Sequence, residues 1–155
     1  MTASAPLAVL LAVHLLGVVL WVGGLAFALL VLAPAAAVLE AGPRVALAGR
    51  VYKRFFLILW HAMPLLLLTG YAMVFGYLGG FKGVAWPVHV MHLFGLIMAA
   101  VFVYTFFGPW AAMRAAQTAG DQTKLVAGVG RIRLLLRINL VLGLVTVVVA
   151  AFAQL

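Results

Sequence analysis

The sequence predicts an all-α membrane protein, folded as one bundle of four transmembrane helices. Of its 155 residues, 68% are hydrophobic and only 8% are charged. The apolar residues form four long continuous runs rather than alternating with polar ones, which favours helices over strands. A chain of this size leaves much of its surface exposed, so this much apolar surface requires lipid as the solvent. The lipid bilayer is therefore the first expected partner.

Each run is long enough to cross the hydrocarbon, which takes about 20 apolar residues in a helix. The first span is predicted over about 6–35 and the second over about 53–78. The third is predicted over about 85–113 and the fourth over about 131–154. Together they make a single transmembrane domain covering residues 1–155.

The basic residues predict how the bundle is oriented. The connections are numbered in chain order, and connection two, between the second and third spans, contains a single basic residue, Lys82. The other basic residues lie in or beside connections one and three: Arg44, Arg50, Lys53, Arg54, Arg114, Lys124, Arg131, Arg133 and Arg137. By the positive-inside rule these two connections face the cytoplasm, and both termini lie outside. The net charge of +8 is thereby explained without a nucleic-acid partner.

The remaining polar residues exclude several classes of chemistry. The sequence has no cysteine, so disulfides, Cys-ligated zinc and iron–sulfur clusters are excluded. Its only acidic residues, Glu40 and Asp121, both lie in connections. No catalytic triad, phosphate-binding loop or acidic pair is present, which argues against a hydrolase or a kinase.

Four histidines are the strongest functional signal, because ionisable groups in membrane spans usually face the bundle interior. From the helical rise, His14 lies roughly 9 Å outward of the membrane middle. His92 and His89 lie roughly 10 and 15 Å outward, and they share a helix face at spacing i, i+3. His61 lies roughly 8 Å on the cytoplasmic side and stands apart from the others.

Two imidazoles at one level on different helices suit the axial positions of a haem. The main hypothesis is therefore a b-type cytochrome with one haem b, held by His14 and either His92 or His89. A second haem would need a partner for His61 that the sequence does not reveal. Trp21 shares the face of His14, where it would pack against the macrocycle or belong to the plain core.

Three cations are candidates for the haem propionates. Lys82 is the one predicted on the outer side. Arg54 and Arg137 lie just inside the cytoplasmic ends, where they would snorkel, clamp a propionate or border a quinone.

Copper is the alternative, since imidazole and thioether ligands suit Cu(I). His14, His89, Met91 and His92 would then surround an ion at the outer surface. A purely structural subunit, whose histidines bond to carbonyl groups, is the third hypothesis.

The segments "HLLGVVLWVGGLAF", "RVYKRFFLILW" with "LLLTGYAM", and "WPVHVMHLFGLIM" with "FVYTFFGPW" resemble the copper resistance protein D (CopD-type) membrane proteins. The resemblance implies a four-helix protein of the bacterial inner membrane, in a family named for copper handling, with His14 and His89 at the typical histidine positions. The chain also resembles the haem-associated HemJ-type protoporphyrinogen oxidases at His14, Gly17 and Trp21. Their third span has a Trp-x-His-x-Lys pattern, whereas here Met91 stands at the lysine position.

The sequence-based prediction is thus a haem protein that transfers electrons between a membrane donor, such as a quinol, and an acceptor outside. Its alternatives are a copper-binding or copper-transporting protein and a protoporphyrinogen-oxidase-like protein. Whether it is an enzyme, with oxidoreductase activity, is left open. So are a redox partner protein and a homodimer.

Overall fold

A computed structural model describes residues 4–153 as four long helices connected by short turns. Span 1 covers Ala5–Val38 and span 2 covers Ala41–Tyr77. Span 3 covers Trp86–Thr118 and span 4 covers Gln122–Phe152. All four are long and apolar enough to cross a membrane, and residues 4–153 contain no strand, so the predicted all-α four-span class is confirmed.

The helices are longer than the apolar runs alone predict. Span 2 begins at Ala41 rather than near residue 53, and span 4 begins at Gln122 rather than near residue 131. The added turns carry basic residues that the apolar criterion leaves out. The predicted end of span 4 at residue 154 lies outside the described residues.

The hydrogen-bonding pattern varies along two of the spans. Span 1 is α-helical over Ala5–Val18, then π-helical over Val19–Gly23 and Phe27–Leu32 with a short α-helical turn between them. After another α-helical turn, it ends in a 3₁₀ turn at Ala36–Val38. Span 3 is π-helical over Phe106–Trp110.

The two ends of the bundle differ in composition, and each is named here for the residues it carries. The histidine end comprises the 78–85 connection, His89 and the neighbouring termini of spans 1 and 4. The basic end comprises the 39–40 and 119–121 connections and the basic residues of the adjoining helical turns. The predicted orientation, with the basic end in the cytoplasm, remains a prediction.

The helices pack mainly as two pairs. The first part of span 1 lies along span 2, and span 3 lies along span 4. Glycines allow neighbouring helices to pack closely, as the space around them shows. If Gly17 carried a Cβ, this atom would lie only 3.3 Å from the side chain of Leu66. A Cβ at Gly143 of span 4 would lie 2.8 Å from Val22. Glycine at these two positions therefore lets the helices approach closely.

Spans 2 and 3 meet through aromatic side chains. Phe56 is fully buried, and its ring centroid lies 5.9 Å from that of Phe102 and 5.6 Å from that of Trp110. Trp60 also contacts Phe102, with ring centroids 5.3 Å apart. Toward the basic end, these large rings hold the two helices apart and leave a groove between them.

Many large apolar side chains remain exposed around the bundle. Leu16, Val19 and Leu68 are each more than 60% exposed. In water such a surface would be strongly unfavourable, whereas lipid tails cover it at no cost. The predicted bilayer environment is thus supported by the distribution of side chains as well as by helix length.

Candidate functional site

His14 is held against span 2 by hydrogen bonds that fix its tautomer. Its Nδ1–H donates to the carbonyl oxygen of Leu66 at 3.0 Å, and the Thr69 hydroxyl oxygen lies 3.1 Å from the same nitrogen. Because a carbonyl group can only accept, Nδ1 must carry the proton. The Thr69 hydroxyl donates its own proton to Leu65, 2.8 Å away. The lone pair of neutral His14 therefore lies on Nε2.

The residue after Thr69 makes room for this imidazole. A Cβ at Gly70 would lie 3.2 Å from His14 Cε1, closer than an unforced contact. The Thr69-Gly70 dipeptide, inside an otherwise apolar run, thus forms the seat of His14. Neither residue was singled out from the sequence, although a polar residue beside glycine within a span was an available signal.

His89 and His92 lie on the first two turns of span 3 and pack against one phenyl ring. The ring centroid of Phe81 lies 5.9 Å from that of His89 and 4.8 Å from that of His92. Tyr71 of span 2 contacts His92 edge-on at 5.2 Å. His89 is exposed and His92 is half-buried. The pair is therefore reachable from the membrane surface, and its i, i+3 spacing directs both rings toward Phe81.

His14 and His92 contact different faces of span 2. The face toward span 1 carries Leu66, Thr69 and Gly70, while Tyr71 projects about 100° beyond Gly70 around the helix. The two imidazoles thus lie at neighbouring levels on two sides of one helix. Within residues 4–153, no group of three or more His, Cys, Asp or Glu side chains is arranged to hold a metal ion.

His61 lies toward the basic end, apart from the other three histidines. It is exposed, and its Nδ1–H donates to the carbonyl oxygen of Leu57, one turn earlier, at 2.8 Å. This is the hydrogen bond of a histidine satisfied within its own helix. The structure gives His61 no partner side chain among the described residues, so a second haem there gains no support.

The other predicted cofactor residues are dispersed. Trp21 is 2% exposed and packs edge-to-face on Phe102 with ring centroids 6.3 Å apart, so it belongs to the core. Lys82 is exposed in the 78–85 connection. Arg54 and Arg137 are exposed on the turns next to the basic end, whereas His14, His89 and His92 lie toward the histidine end. The structure therefore does not bring these two arginines near His14, His89 or His92.

One buried polar residue with a structural role is not predicted from the sequence. Asn139 is 1% exposed, and its side-chain amide donates to the carbonyl oxygen of Met98 at 3.2 Å. This hydrogen bond joins span 4 to span 3 in the middle of the bundle. In the sequence, Asn139 stands alone inside an apolar run, and such an asparagine typically forms hydrogen bonds between membrane helices.

Comparison with known proteins adds one finding. The family model described as "Copper resistance protein D" matches residues 49–153, which cover spans 3 and 4 and most of span 2. No curated protein and no solved structure matches the chain.

Proposed function

Because the chain belongs to the copper resistance protein D family, we propose that it is a copper-handling protein of the bacterial inner membrane. In this proposal it binds Cu(I) at the histidine end through His89 and His92. The observation that carries the proposal is the packing of both imidazoles against Phe81 at a surface-accessible position.

The donor atoms at this end of the bundle suit a soft cation. Imidazole nitrogens and methionine sulfurs are ligands that Cu(I) accepts, whereas Mg²⁺ and Ca²⁺ require oxygen ligands. Both acidic residues, Glu40 and Asp121, lie at the opposite, basic end. Met91 follows His89 by two residues and projects from another face of span 3. A two-coordinate histidine site is therefore the simplest fit to the residues present.

The experiment is a Cu(I) competition titration of the purified protein in nanodiscs under reducing conditions, with a chromogenic chelator as competitor. Wild-type protein should bind one Cu(I) per chain. The affinity of the H89A/H92A double variant for Cu(I) should fall by far more than the roughly 10–100-fold that removal of an outer-shell partner of a metal ligand costs. His61→Ala is the matched control, because His61 is also an exposed histidine on a span but lies toward the opposite end.

Two results would contradict the proposal. In one, the double variant retains wild-type affinity. In the other, His61→Ala loses as much affinity as the double variant, which would point to adventitious binding by any accessible imidazole.

A haem b electron-transfer protein is the second candidate function. The observation that favours it is the orientation of His14, because a ligating histidine typically donates its second ring N–H to a backbone carbonyl. It also requires His92 or His89 to reach the same iron from the other side of span 2. A visible spectrum of the purified protein separates the two candidates: a Soret band with sharp α and β bands on reduction would favour haem, and its absence would favour copper.

A further inference from the structure

The structure contains a groove of about 770 Å³ between spans 2 and 3, toward the basic end. One wall comes from the first half of span 2 and the other from the end of span 3, with the start of span 4 closing one side. We propose that this groove binds one anionic phospholipid of the adjacent leaflet. The site is remote from the histidines, so this inference is independent of the copper proposal.

Three cations lie at the mouth of the groove. Arg50 and Lys53 line it from span 2, and Arg114 lines it from span 3. All three side chains are exposed. Neither acidic side chain, Glu40 or Asp121, lines the groove. Asp121 lies between two residues that do, Gly120 and Gln122, and its carboxylate is paired with Lys124. The positive charge at the mouth is therefore not neutralised by acidic groups of the groove itself.

The interior of the groove is aromatic and apolar. Trp60, Phe106 and Trp110 form its wall, together with Leu57. The Arg114 guanidinium lies 5.9 Å from the Trp110 ring centroid and 6.0 Å from that of Phe106, within cation–π range. These contacts hold a cation at the boundary between the mouth and the apolar wall.

The depth of these residues matches the layers of a membrane. With the middle of the bilayer near Leu66 and Ala99, the hydrocarbon ends about 15 Å away, and the headgroups extend to about 20–22 Å. By the helical rise, Lys53, Arg114 and Arg50 lie about 20–24 Å from the middle, and Trp60 and Phe106 lie about 9–11 Å from it. The backbone positions of the cations thus stand at the outer edge of the headgroup layer, and the rings lie at the acyl-chain level.

The shape and charge together favour a phospholipid over other occupants. The groove is lined from Gly42 to Trp60 of span 2, about 27 Å along the helix, which accommodates a headgroup and an acyl chain. A free phosphate ion would leave the aromatic wall uncovered, and a quinone would leave the three cations without a counter-charge. Basic pockets between transmembrane helices on the cytoplasmic side are a known type of site for anionic lipid headgroups.

The test uses quenching of tryptophan fluorescence by brominated lipids. The protein, carrying Trp86→Phe to remove the exposed tryptophan near the histidine end, is reconstituted with brominated phosphatidylglycerol or brominated phosphatidylcholine at graded mole fractions. Trp60 and Trp110 then report occupancy of the groove, while buried Trp21 contributes a constant signal. We expect the binding constant derived from quenching to be at least about tenfold higher for phosphatidylglycerol than for phosphatidylcholine. Each cation near an anionic lipid raises the binding constant by about fivefold.

The matched variants change the same number of charges. The preference is the ratio of the binding constants for phosphatidylglycerol and phosphatidylcholine. In the groove triple R50Q/K53Q/R114Q this ratio should fall to within about twofold of one. The control triple R54Q/R131Q/R137Q removes three exposed cations that do not line the groove and should retain most of it. Circular dichroism and gel filtration establish that both triples are folded. Should the groove triple not fold, the double variant R50Q/K53Q should still lose most of the preference for phosphatidylglycerol, whereas the control triple retains it.

Four results would overturn the inference: a groove triple that keeps the preference, equal losses in both triples, equal quenching by the two lipids, or displacement of the lipid by inorganic phosphate. Equal losses would indicate attraction by the surface charge as a whole. Equal quenching would indicate an uncharged amphiphile in the groove. None of these outcomes bears on Cu(I) binding at the histidine end.

Discussion

Replacing Gly24 by alanine tests the contact between spans 1 and 2 most directly. The added Cβ would lie 2.5 Å from Cε2 of Phe55, and 3.4 Å from two further atoms of that ring. Carbon atoms in contact normally lie about 3.5–4.0 Å apart, so the ring or the helix must move by about 1 Å. Phe55 is 8% exposed and packs against Phe56, which limits how far its ring can turn.

Overpacking of this kind costs about 1–3 kcal/mol. Part of that cost is offset, because alanine is a better helix former than glycine by about 1 kcal/mol. Gly23→Ala provides the control, since a Cβ at Gly23 meets nothing within 4 Å. The two variants are adjacent in one helix and make the same chemical change, so the propensity terms largely cancel in their difference.

The assay is equilibrium unfolding of both variants in mixed detergent micelles, followed by circular dichroism. Gly24→Ala should be less stable than Gly23→Ala by about 1–3 kcal/mol, while Gly23→Ala should match or exceed the wild type. Equal stabilities for the two variants would refute the reasoning, because they would mean that spans 1 and 2 do not approach closely at this level.

Two further predictions concern polar contacts. Asn139→Leu removes the hydrogen bond to Met98 and should lower the free energy of unfolding in micelles by about 0.6 kcal/mol, the average for interhelical hydrogen bonds in a membrane; an unchanged stability would count against the contact. Hydrogen bonds from the Lys124 backbone N–H and side chain hold the pKa of Asp121, the N-cap of span 4, below its usual value. The pKa of Asp121 is lower in the folded than in the unfolded protein. The carboxylate therefore stabilises the first turn of span 4 fully at pH values above the ordinary Asp pKa of about 3.9, and this stabilisation is lost as the pH falls through the lowered pKa. Hydrogen exchange at the Lys124 amide, corrected for its intrinsic pH dependence, should therefore lose protection in acid for the wild type but not for Asp121→Ala.

Composition was sufficient to predict the fold class, because only lipid can cover four continuous apolar runs. It predicted the ends of the helices less well at the basic end. Arg44 and Lys124 lie in the added turns of spans 2 and 4, where charged side chains lower the mean hydropathy. A helix continues past the edge of the hydrocarbon as long as its backbone is hydrogen-bonded, so the apolar length sets only a minimum.

The candidate site was predictable in its parts but not in its arrangement. The helical rise placed His14 and His92 at similar levels, and the structure has them contact neighbouring residues of span 2. The rise does not give the rotation of each helix about its axis, which decides the face that an imidazole contacts. The seat of His14 also depends on Thr69 and Gly70, whose role emerges only when span 1 lies against span 2.

His14→Ala distinguishes the two candidate functions. If His89 and His92 bind Cu(I), the variant should retain one Cu(I) per chain with an affinity within about threefold of wild type, well below the roughly tenfold minimum for loss of an outer-shell partner. If a haem is held between His14 and a histidine of span 3, the same variant should lose the haem, because one axial ligand is removed.

The variant should also remain folded, which makes the comparison informative. Without His14, the Thr69 hydroxyl, whose oxygen lies 3.0 Å from the Leu66 carbonyl oxygen, turns its proton from Leu65 to Leu66, so this carbonyl is not left without a donor. Gly70 needs no side-chain support, and His14 is only half-buried. A protein that is folded, colourless and still binds Cu(I) supports copper capture by the span 3 pair. A folded protein that has lost its copper would place His14 among the ligands and would contradict a two-histidine site.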